Sequence, residues 1–329
     1  MADKERIVSI IIPVYQVKET LRACVESCVD QADVKRDEIE IILVDDGSTD
    51  GSSELCDEIA SQYGEDLVKV RHTKNFGVSH ARNIGIEMAT ARFIAFVDSD
   101  DLVTKSFVDN CTKYADESTV LIDETHSFQG TQKISGFQYI ENSTLNRNTH
   151  VWGKLFCRKT IVDNHITFRE GVAIGEDLLF MIDFALTQER NHTIRCIADG
   201  DYVYTENEQS AMNRAFKESY MDQLICWRDA EDKLKAHATE LSPYAFVSIA
   251  VSQILTALLV AGKIAVAIKA DAIDKTLVPV YMQKVKEQID HALETRGAFA
   301  ALSSGHKIKV MIFRISPNLY LKLYGDYKA

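Results

Sequence analysis

The chain is poor in the residues that mark linkers, secreted frameworks and nucleic-acid binding. Its 329 residues include only four prolines and 15 glycines, which excludes a collagen-like repeat and leaves no Pro/Gly-rich linker. Seven cysteines are scattered with no CxxC pair and no Cys/His ligand spacing, so no zinc module is expected. Cys24 and Cys28, one helical turn apart, read as a buried thiol pair. Positive charge is also short, with 37 Lys and Arg against 49 Asp and Glu and a formal net charge of −12. That balance opposes a protein that reads nucleic acid, because neutralising phosphates needs a basic face. The opening segment MADKERIVS lacks the apolar stretch and cleavage site of a secretory signal, so a reducing, cytoplasmic compartment is expected.

What is present is an alternation of strand-like and helix-like patterns. Buried strands are expected at residues 7–12, 39–44, 68–71 and 93–97, with a fifth at 120–122. Helices are expected at 19–29, 52–63 and 78–88, and another opening at Thr104. Residues 129–150 are polar and read as loops or short strands. Residues 151–164 and 176–188 read as helices, 194–197 and 202–204 as short strands, and the chain beyond about residue 214 as helical. Strands alternating with helices predict a mainly parallel sheet covered on both faces. The expected organisation is an α/β domain over 1–213, in halves 1–125 and 126–213, followed by a helical region over 214–329. Residues 242–262 carry no charge and are long enough to span a bilayer. Ser248, Ser252, Gln253, Thr256 and the nearby Pro243 favour a buried core helix instead.

Polar residues collect at the predicted strand ends, where open α/β sheets bind ligands. Pro13 and Tyr15 follow the first strand, Asp45 and Asp46 the second, and Asp98, Ser99, Asp100 and Asp101 the fourth. So many carboxylates at one edge call for a positive partner, and hard oxygen donors favour Mg2+ or Mn2+ over zinc. Neither a GxxxxGK[ST] loop nor a GxGxxG turn is present, so phosphates need a metal and scattered donors. An Asp-x-Asp at a strand end suits that, one carboxylate ligating metal while its neighbour reaches a ribose hydroxyl.

The runs VSIIIPVY, IILVDDGSTDGS and KNFGVSHARNIGIEMATARFIAFVDSDD resemble, in order and spacing, the nucleotide-sugar domain of family 2 glycosyltransferases of the GT-A fold. The resemblance covers residues 8–101 and implies a Rossmann-like nucleotide-diphospho-sugar transferase sheet. It implies that Pro13, Tyr15 and Asp46, with Asp45 beside them, hold the nucleobase. By the same resemblance Asp98 and Ser99 meet the ribose side, Asp100 with Asp98 holds the metal, and Gly77 lets backbone approach the ligand. Arg82 is a candidate for base or phosphate contact, or for a structural ion pair, and Asp101 reads as a helix N-terminal acid. In VAIGEDLLFMIDFAL, Glu176 and Asp177 match the family's Glu-Asp pair, whose aspartate is the general base. VWGKLFCR resembles the acceptor side, with Trp152 against a sugar face or in the core and Lys154 toward a phosphate or hydroxyl. TENEQSAMNR falls where relatives carry a mobile loop, making Ser210 and Arg214 candidates for the diphosphate. The Gln-x-x-Arg-Trp signature of processive polymerases is absent.

Residues 306–329 interleave apolar, aromatic and basic side chains, with five Lys/Arg against one Asp, a local +4. Such a segment suits an anionic membrane surface, or a docked terminal helix with a solvated basic side. Together the resemblance implies an inverting glycosyltransferase of hexosyl or N-acetylhexosaminyl type, using a UDP-sugar and Mn2+ or Mg2+. Its acceptor would be a hydroxyl of a glycan or lipid-linked saccharide in surface-polysaccharide or cell-wall assembly. The expected place is the cytoplasm, peripheral on the inner face of the cell membrane, with a homo-oligomer compatible. Two alternatives stand: a catalytically silent nucleotide-sugar-binding assembly protein, and a sugar nucleotidyltransferase, which would need a Gly-rich basic loop after the first strand.

Overall fold

The N-terminal apolar run forms β1 (Val8–Val14), buried along its whole length. Its β-branched residues suit a strand covered on both faces. Val8, Ile10 and Ile12 share a core with Leu21, Cys24, Val25 and Cys28 of α1 (Lys18–Val29). Ile11 faces the other way, toward α3 (Val78–Met88), where a Cβ on Gly85 would come within 2.3 Å of its Cγ2. The computed structural model describes residues 6–328, apart from 33, 114, 116–120, 124–131, 147, 189–193, 198–200 and 206–214. The chain divides into two compact units, Met1–Val172 with Glu176–Thr205, and Ala173–Gly175 with Glu206–Ala329.

In the first unit β1 lies between β2 (Ile39–Asp45) and β4 (Phe93–Phe96), both parallel to it, and β3 (Val68–His72) runs parallel along β2. The crossovers are α1, α2 (Ser52–Tyr63) and α3. Past β4 the directions change. β8 (Lys154–Cys157) is antiparallel to β4 and to β6 (Leu121–Asp123), β9 (Ile194–Ile197) is parallel to β6, and β7 (Gln132–Ile134) is antiparallel to β9. The eight strands run β3-β2-β1-β4-β8-β6-β9-β7. A separate antiparallel ladder joins β5 (Leu102–Val103) to β10 (Tyr202–Val203). Four further helices are α4 (Phe107–Thr112), α5 (Gly136–Asn142), α6 (Arg158–Asp163) and α7 (Glu176–Leu186). Edge-to-face contacts among Phe96, Phe156, Phe168 and Phe180 fill the core beside β4 and β8.

Three local expectations need correction. Residues 151–164 are not one helix; a four-residue buried apolar run reads equally as strand or helix, and here it pairs with β4 as β8 before α6 begins. Thr104 opens no helix, because its N–H and hydroxyl are given to Asp201 and α4 starts at Phe107. The polar stretch 129–150 contains α5, announced by a capping box in which Ser135 and Gln138 satisfy each other's backbone N–H groups.

The second unit is helical: α8 (Asp222–Lys235), α9 (Pro243–Lys269), α10 (Val278–Glu294), α11 (Ala298–Ala301), α12 (Ser304–Ile315) and α13 (Pro317–Lys328). Pro243 sits in the first turn of α9, where a missing N–H costs nothing. Ile254, Ala257, Ala261 and Ile264 of α9 share a core with Tyr281, Val285 and Ile289 of α10 and with Phe313 and Tyr320. Gln253, fully buried in α9, donates to Glu231 Oε2 at 2.7 Å. Among the described residues α9 alone is long and apolar enough to cross a membrane, yet 56% of its most apolar stretch is buried against protein. Among the described residues six cysteines, Cys24 and Cys28 among them, are buried thiols outside any disulfide. The hydrogen bond to Cys28 and burial push the Cys24 thiol well up, as suits a packing group.

Candidate active site

The parallel register puts the ends of β1 and β2 side by side, Val14 opposite Asp45. Asp45 is buried and serves the turn that follows it: Oδ1 accepts from the Ser48 N–H at 3.1 Å, and Oδ2 from the Ser53 hydroxyl at 2.5 Å. His72 Nδ1 meets the same Oδ2 at 2.9 Å, and Asp45 raises the imidazole pKa above its ordinary value. Burial would raise the Asp45 carboxyl, but His72, Ser48 and Ser53 hold it below the usual range. Asp46 faces the loop before α3. It accepts from the Thr73 hydroxyl at 2.8 Å, the Phe76 N–H at 2.8 Å and the Gly77 N–H at 2.7 Å. Gly77 caps α3 at φ 98°, a conformation that favours glycine, and a Cβ there would meet nothing within 4 Å. The exposed Tyr15 ring reaches the same loop, its hydroxyl accepting from Asn75 Nδ2 at 3.0 Å. Tyr15, Asp46 and Gly77 therefore meet at one loop with Asp45 behind it, and Pro13 lies buried within β1 opposite Val44.

The loop leads through α3 to Arg82, whose side chain is only 4% exposed. Its guanidinium bonds three carboxylates: Asp98 Oδ1 at 3.0 Å, Asp177 Oδ1 at 2.7 Å and Glu176 Oε1 at 3.1 Å. It also lies over the Phe168 ring, 5.2 Å from its centroid. The planar fork of arginine suits such shared contacts, which a lysine ammonium would not span. The ion pair read as one alternative for Arg82 is present. Residues 82, 98, 176 and 177 thus meet at one charge, though 95 positions separate Arg82 from Asp177. Asp177 also accepts from the Val151 N–H at 3.3 Å. Burial raises the Asp177 carboxyl against the pull of Arg82. Burial and the neighbouring Asp177 push Glu176 up to about 7, again opposed by Arg82. One guanidinium facing three carboxylates leaves negative charge in excess, which adds to burial in raising the Glu176–Asp177 pair.

Asp98 and Ser99 leave the end of β4, with Asp100 and Asp101 next. Asp101 is not a helix N-terminal acid. It is buried, and its carboxylate accepts from the Tyr202 hydroxyl at 2.7 Å and the Thr205 N–H at 2.8 Å. Burial pushes it up to about 6 against those two donors. Tyr202 in turn accepts from the Asp98 N–H at 3.1 Å, so one phenol ties β10 to the Asp-x-Asp turn. No local pattern announced Tyr202, because its partners lie 101 and 104 positions away. Ser99 is buried, and its carbonyl accepts from Thr20 Oγ1 at 3.1 Å.

An isolated bridge pairs Phe96 with Trp152 and so sets Trp152 beside the end of β4. Its ring stacks with His150 at 3.7 Å and Tyr202 at 4.5 Å between centroids, and with the exposed Tyr204 at 5.8 Å. Burial, with Lys154 nearby, drives the His150 imidazole down to about 2, so it stacks as a neutral ring. Lys154 is buried within β8 and donates to Asn148 Oδ1 at 2.9 Å, a structural role in place of the expected phosphate or hydroxyl contact. Ser210 and Arg214 lie outside the described residues.

For a divalent cation, the fit lies in donor type. Asp98 and Asp100 supply hard oxygens, but one Asp98 oxygen is engaged by Arg82. Among the described residues no group of three His, Cys, Asp or Glu side chains stands ready to hold a metal. Such a set suits a cation that arrives with phosphate and water ligands, as Mg2+ does.

Residues 9–168 match the family model for glycosyl transferase family 2. The chain is 28% identical over 229 residues to the uncharacterized glycosyltransferase EpsJ of Bacillus subtilis, covering 64% of each chain. It is 31% identical over 220 residues to the minor teichoic acid biosynthesis protein GgaB of B. subtilis, covering 63% of this chain and 24% of GgaB. The chain thus spans less than two thirds of the length of these relatives. The crystal structure of S. aureus TarS residues 1–349 in complex with UDP-GlcNAc superposes with a TM-score of 0.63 at 19% identity, over 98% of this chain and 91% of that one. That likeness is one of fold, a GT-A sheet followed by helices.

Proposed function

From a chain whose residues 9–168 are a family 2 glycosyltransferase domain, we propose an inverting glycosyltransferase that moves a sugar from a UDP-sugar to a hydroxyl of a glycan or lipid-linked acceptor. The observation that carries this reading is the shared Arg82 charge. It holds the first carboxylate of the Asp-x-Asp turn and the Glu176–Asp177 pair around one guanidinium. The nucleotide end and the base end of a transfer site are thereby fixed to each other.

In the proposed reaction the acceptor hydroxyl gives its proton to Asp177 as its oxygen bonds the anomeric carbon. The bond from that carbon to the diphosphate oxygen breaks on the opposite face, its electron pair leaving with UDP, and the configuration inverts. Burial raises the Asp177 carboxyl, and the Arg82 guanidinium opposes that rise and so favours the ionised form a base needs. Tyr15, Pro13 and the Asp46-bound loop offer the uracil a ring face and a turn of fixed shape. Asp98 and Asp100 would hold Mn2+ or Mg2+, which when bound neutralises charge on the leaving diphosphate. Trp152 and Tyr204 give the acceptor an aromatic face on the side of the base.

The UDP-GlcNAc bound by TarS and the teichoic acid role of GgaB support a hexose or N-acetylhexosamine donor and a cell-wall or surface glycan. The reading places the enzyme in the cytoplasm, peripheral on the membrane that carries lipid-linked acceptors. A thermal-shift screen of nucleotide sugars with and without Mn2+ tests it. UDP and at least one UDP-sugar should raise the melting temperature, more so with Mn2+. A shift with every nucleotide alike, or with none, contradicts the donor class.

A further inference from the structure

The second unit ends in two helices whose apolar residues do not all face inward. Val310 and Phe313 of α12 and Tyr320 of α13 are buried in the helical core. On α12, Ile308, Met311 and Ile315 are spaced as one helical stripe, and all three are exposed, Ile315 at 81%. On α13, Leu319 and Leu323, one turn apart, are exposed as well. Single exposed aliphatics are ordinary, but five within 16 positions on consecutive helices form an unpartnered surface.

The charges around this surface decide its occupant. Residues 306–329 hold Lys307, Lys309, Arg314, Lys322 and Lys328 against Asp326 alone, a local +4 in a chain whose net charge is −12. The only acid of the stretch is engaged by Lys269 at 3.3 Å. A symmetric contact with a second copy would set this basic patch against itself, with like charges facing. A contact with the acidic body of another copy would be head-to-tail and would propagate rather than close. An anionic bilayer satisfies both features together, taking the aliphatic stripes into its interface and pairing the basic side chains with its headgroups.

We propose that α12 and α13 form a monotopic seat on an anionic lipid surface, with Ile308, Met311, Ile315, Leu319 and Leu323 entering the interface. It gives the peripheral location of the transfer reaction a named surface, and it rests on that reading only for its purpose, not for its physics.

The test is flotation of the full chain with vesicles of phosphatidylcholine alone and of an equal mixture of phosphatidylcholine and phosphatidylglycerol. The chain should partition at least about tenfold more strongly to the mixed vesicles, and added salt should weaken it. Ile315→Asp, at a site so exposed that folding is unaffected, and the pair Lys307→Glu with Lys322→Glu should each lower partition about tenfold or more. Light scattering of the same samples without lipid should show no change in mass for either variant. Equal partition to both vesicle types, or partition untouched by both variants, overturns the proposal. A wild-type assembly that Ile315→Asp dissociates also overturns it, because the stripe would then be an interface between copies. UDP binding is measured on the same preparations, so vesicle binding without UDP binding upholds the seat and refutes the transferase reading, and the reverse result does the opposite.

Discussion

Replacing Arg82 with methionine removes a guanidinium shared by Asp98, Glu176 and Asp177 at 2.7 to 3.1 Å and leaves a side chain of similar length over Phe168. The aliphatic contact is largely kept, since a thioether also packs well on a ring. What is lost is the counter-charge to three carboxylates whose exposures are 32%, 10% and 18%. Truncating one partner of a buried pair costs about 3–5 kcal/mol, because the remaining charge stays desolvated. For a unit of this size each kcal/mol lowers the melting temperature by roughly 2–4 °C, so a drop of about 6–20 °C is expected near pH 8. The pH dependence carries the sharper test. Without Arg82 the folded-state pKa values of Glu176 and Asp177, already raised by burial, rise further above their unfolded values. The native variant then binds protons that the unfolded chain has released, and its stability falls as pH rises from about 4 through the raised values. The gap between wild type and Arg82→Met should therefore be small near pH 5 and widest near pH 8. Urea unfolding at both pH values reads it directly. A variant within about 1 kcal/mol of wild type at both would refute the shared-charge reasoning.

Glu176→Gln should act in the opposite sense. With its folded pKa pushed up to about 7 by burial and Asp177, Glu176 contributes stability that is present below about pH 4.5 and lost through 7. The neutral amide escapes that loss, so the variant should gain about 3 kcal/mol on wild type between those limits by urea unfolding. Glu40 is the reverse case: burial alone would raise it, but Lys69, Ser9 and Thr90 hold it to about 2. Its contribution is present above about pH 4.5 and lost as pH falls toward 2, so Glu40→Gln should cost about 3 kcal/mol at neutrality and little in strong acid. Asp46→Ala should leave the Phe76 and Gly77 N–H groups without their acceptor, cost about 2–4 kcal/mol, and weaken UDP binding by calorimetry at least about tenfold.

The first half of the sheet was legible because β1, β2 and β4 are runs of buried aliphatic residues ended by turn-forming polar ones, a pattern with little local competition. β8 was not, because Lys-Leu-Phe-Cys has no period of its own and becomes a strand only through pairing with β4 and β6. α5 was legible in principle from its Ser135–Gln138 box, set within polar residues that hid it. For the candidate site, the resemblance proposes Pro13, Tyr15, Asp46, Gly77, Asp98 and Asp177, but sequence could not give the contacts among neighbouring elements. Arg82 pairing with Glu176 and Asp177, or Tyr202 with Asp101, joins residues about 100 positions apart. Such contacts are set by strand order rather than by neighbours in sequence. Lys154, read as facing a phosphate or hydroxyl, is buried and donates to Asn148, a partner six positions away that no motif marked.

If Asp177 takes the acceptor proton in a transfer from a UDP-sugar, removing its charge must show in turnover before it shows in binding. Release of UDP should be followed with a panel of UDP-sugars and a hydroxylated glycan acceptor, for wild type and Asp177→Asn, with UDP affinity measured alongside. Acceptor-dependent UDP release by wild type is the expected result, reduced by about 100-fold or more in Asp177→Asn while UDP binding changes little. Turnover by Asp177→Asn at the wild-type rate would contradict it.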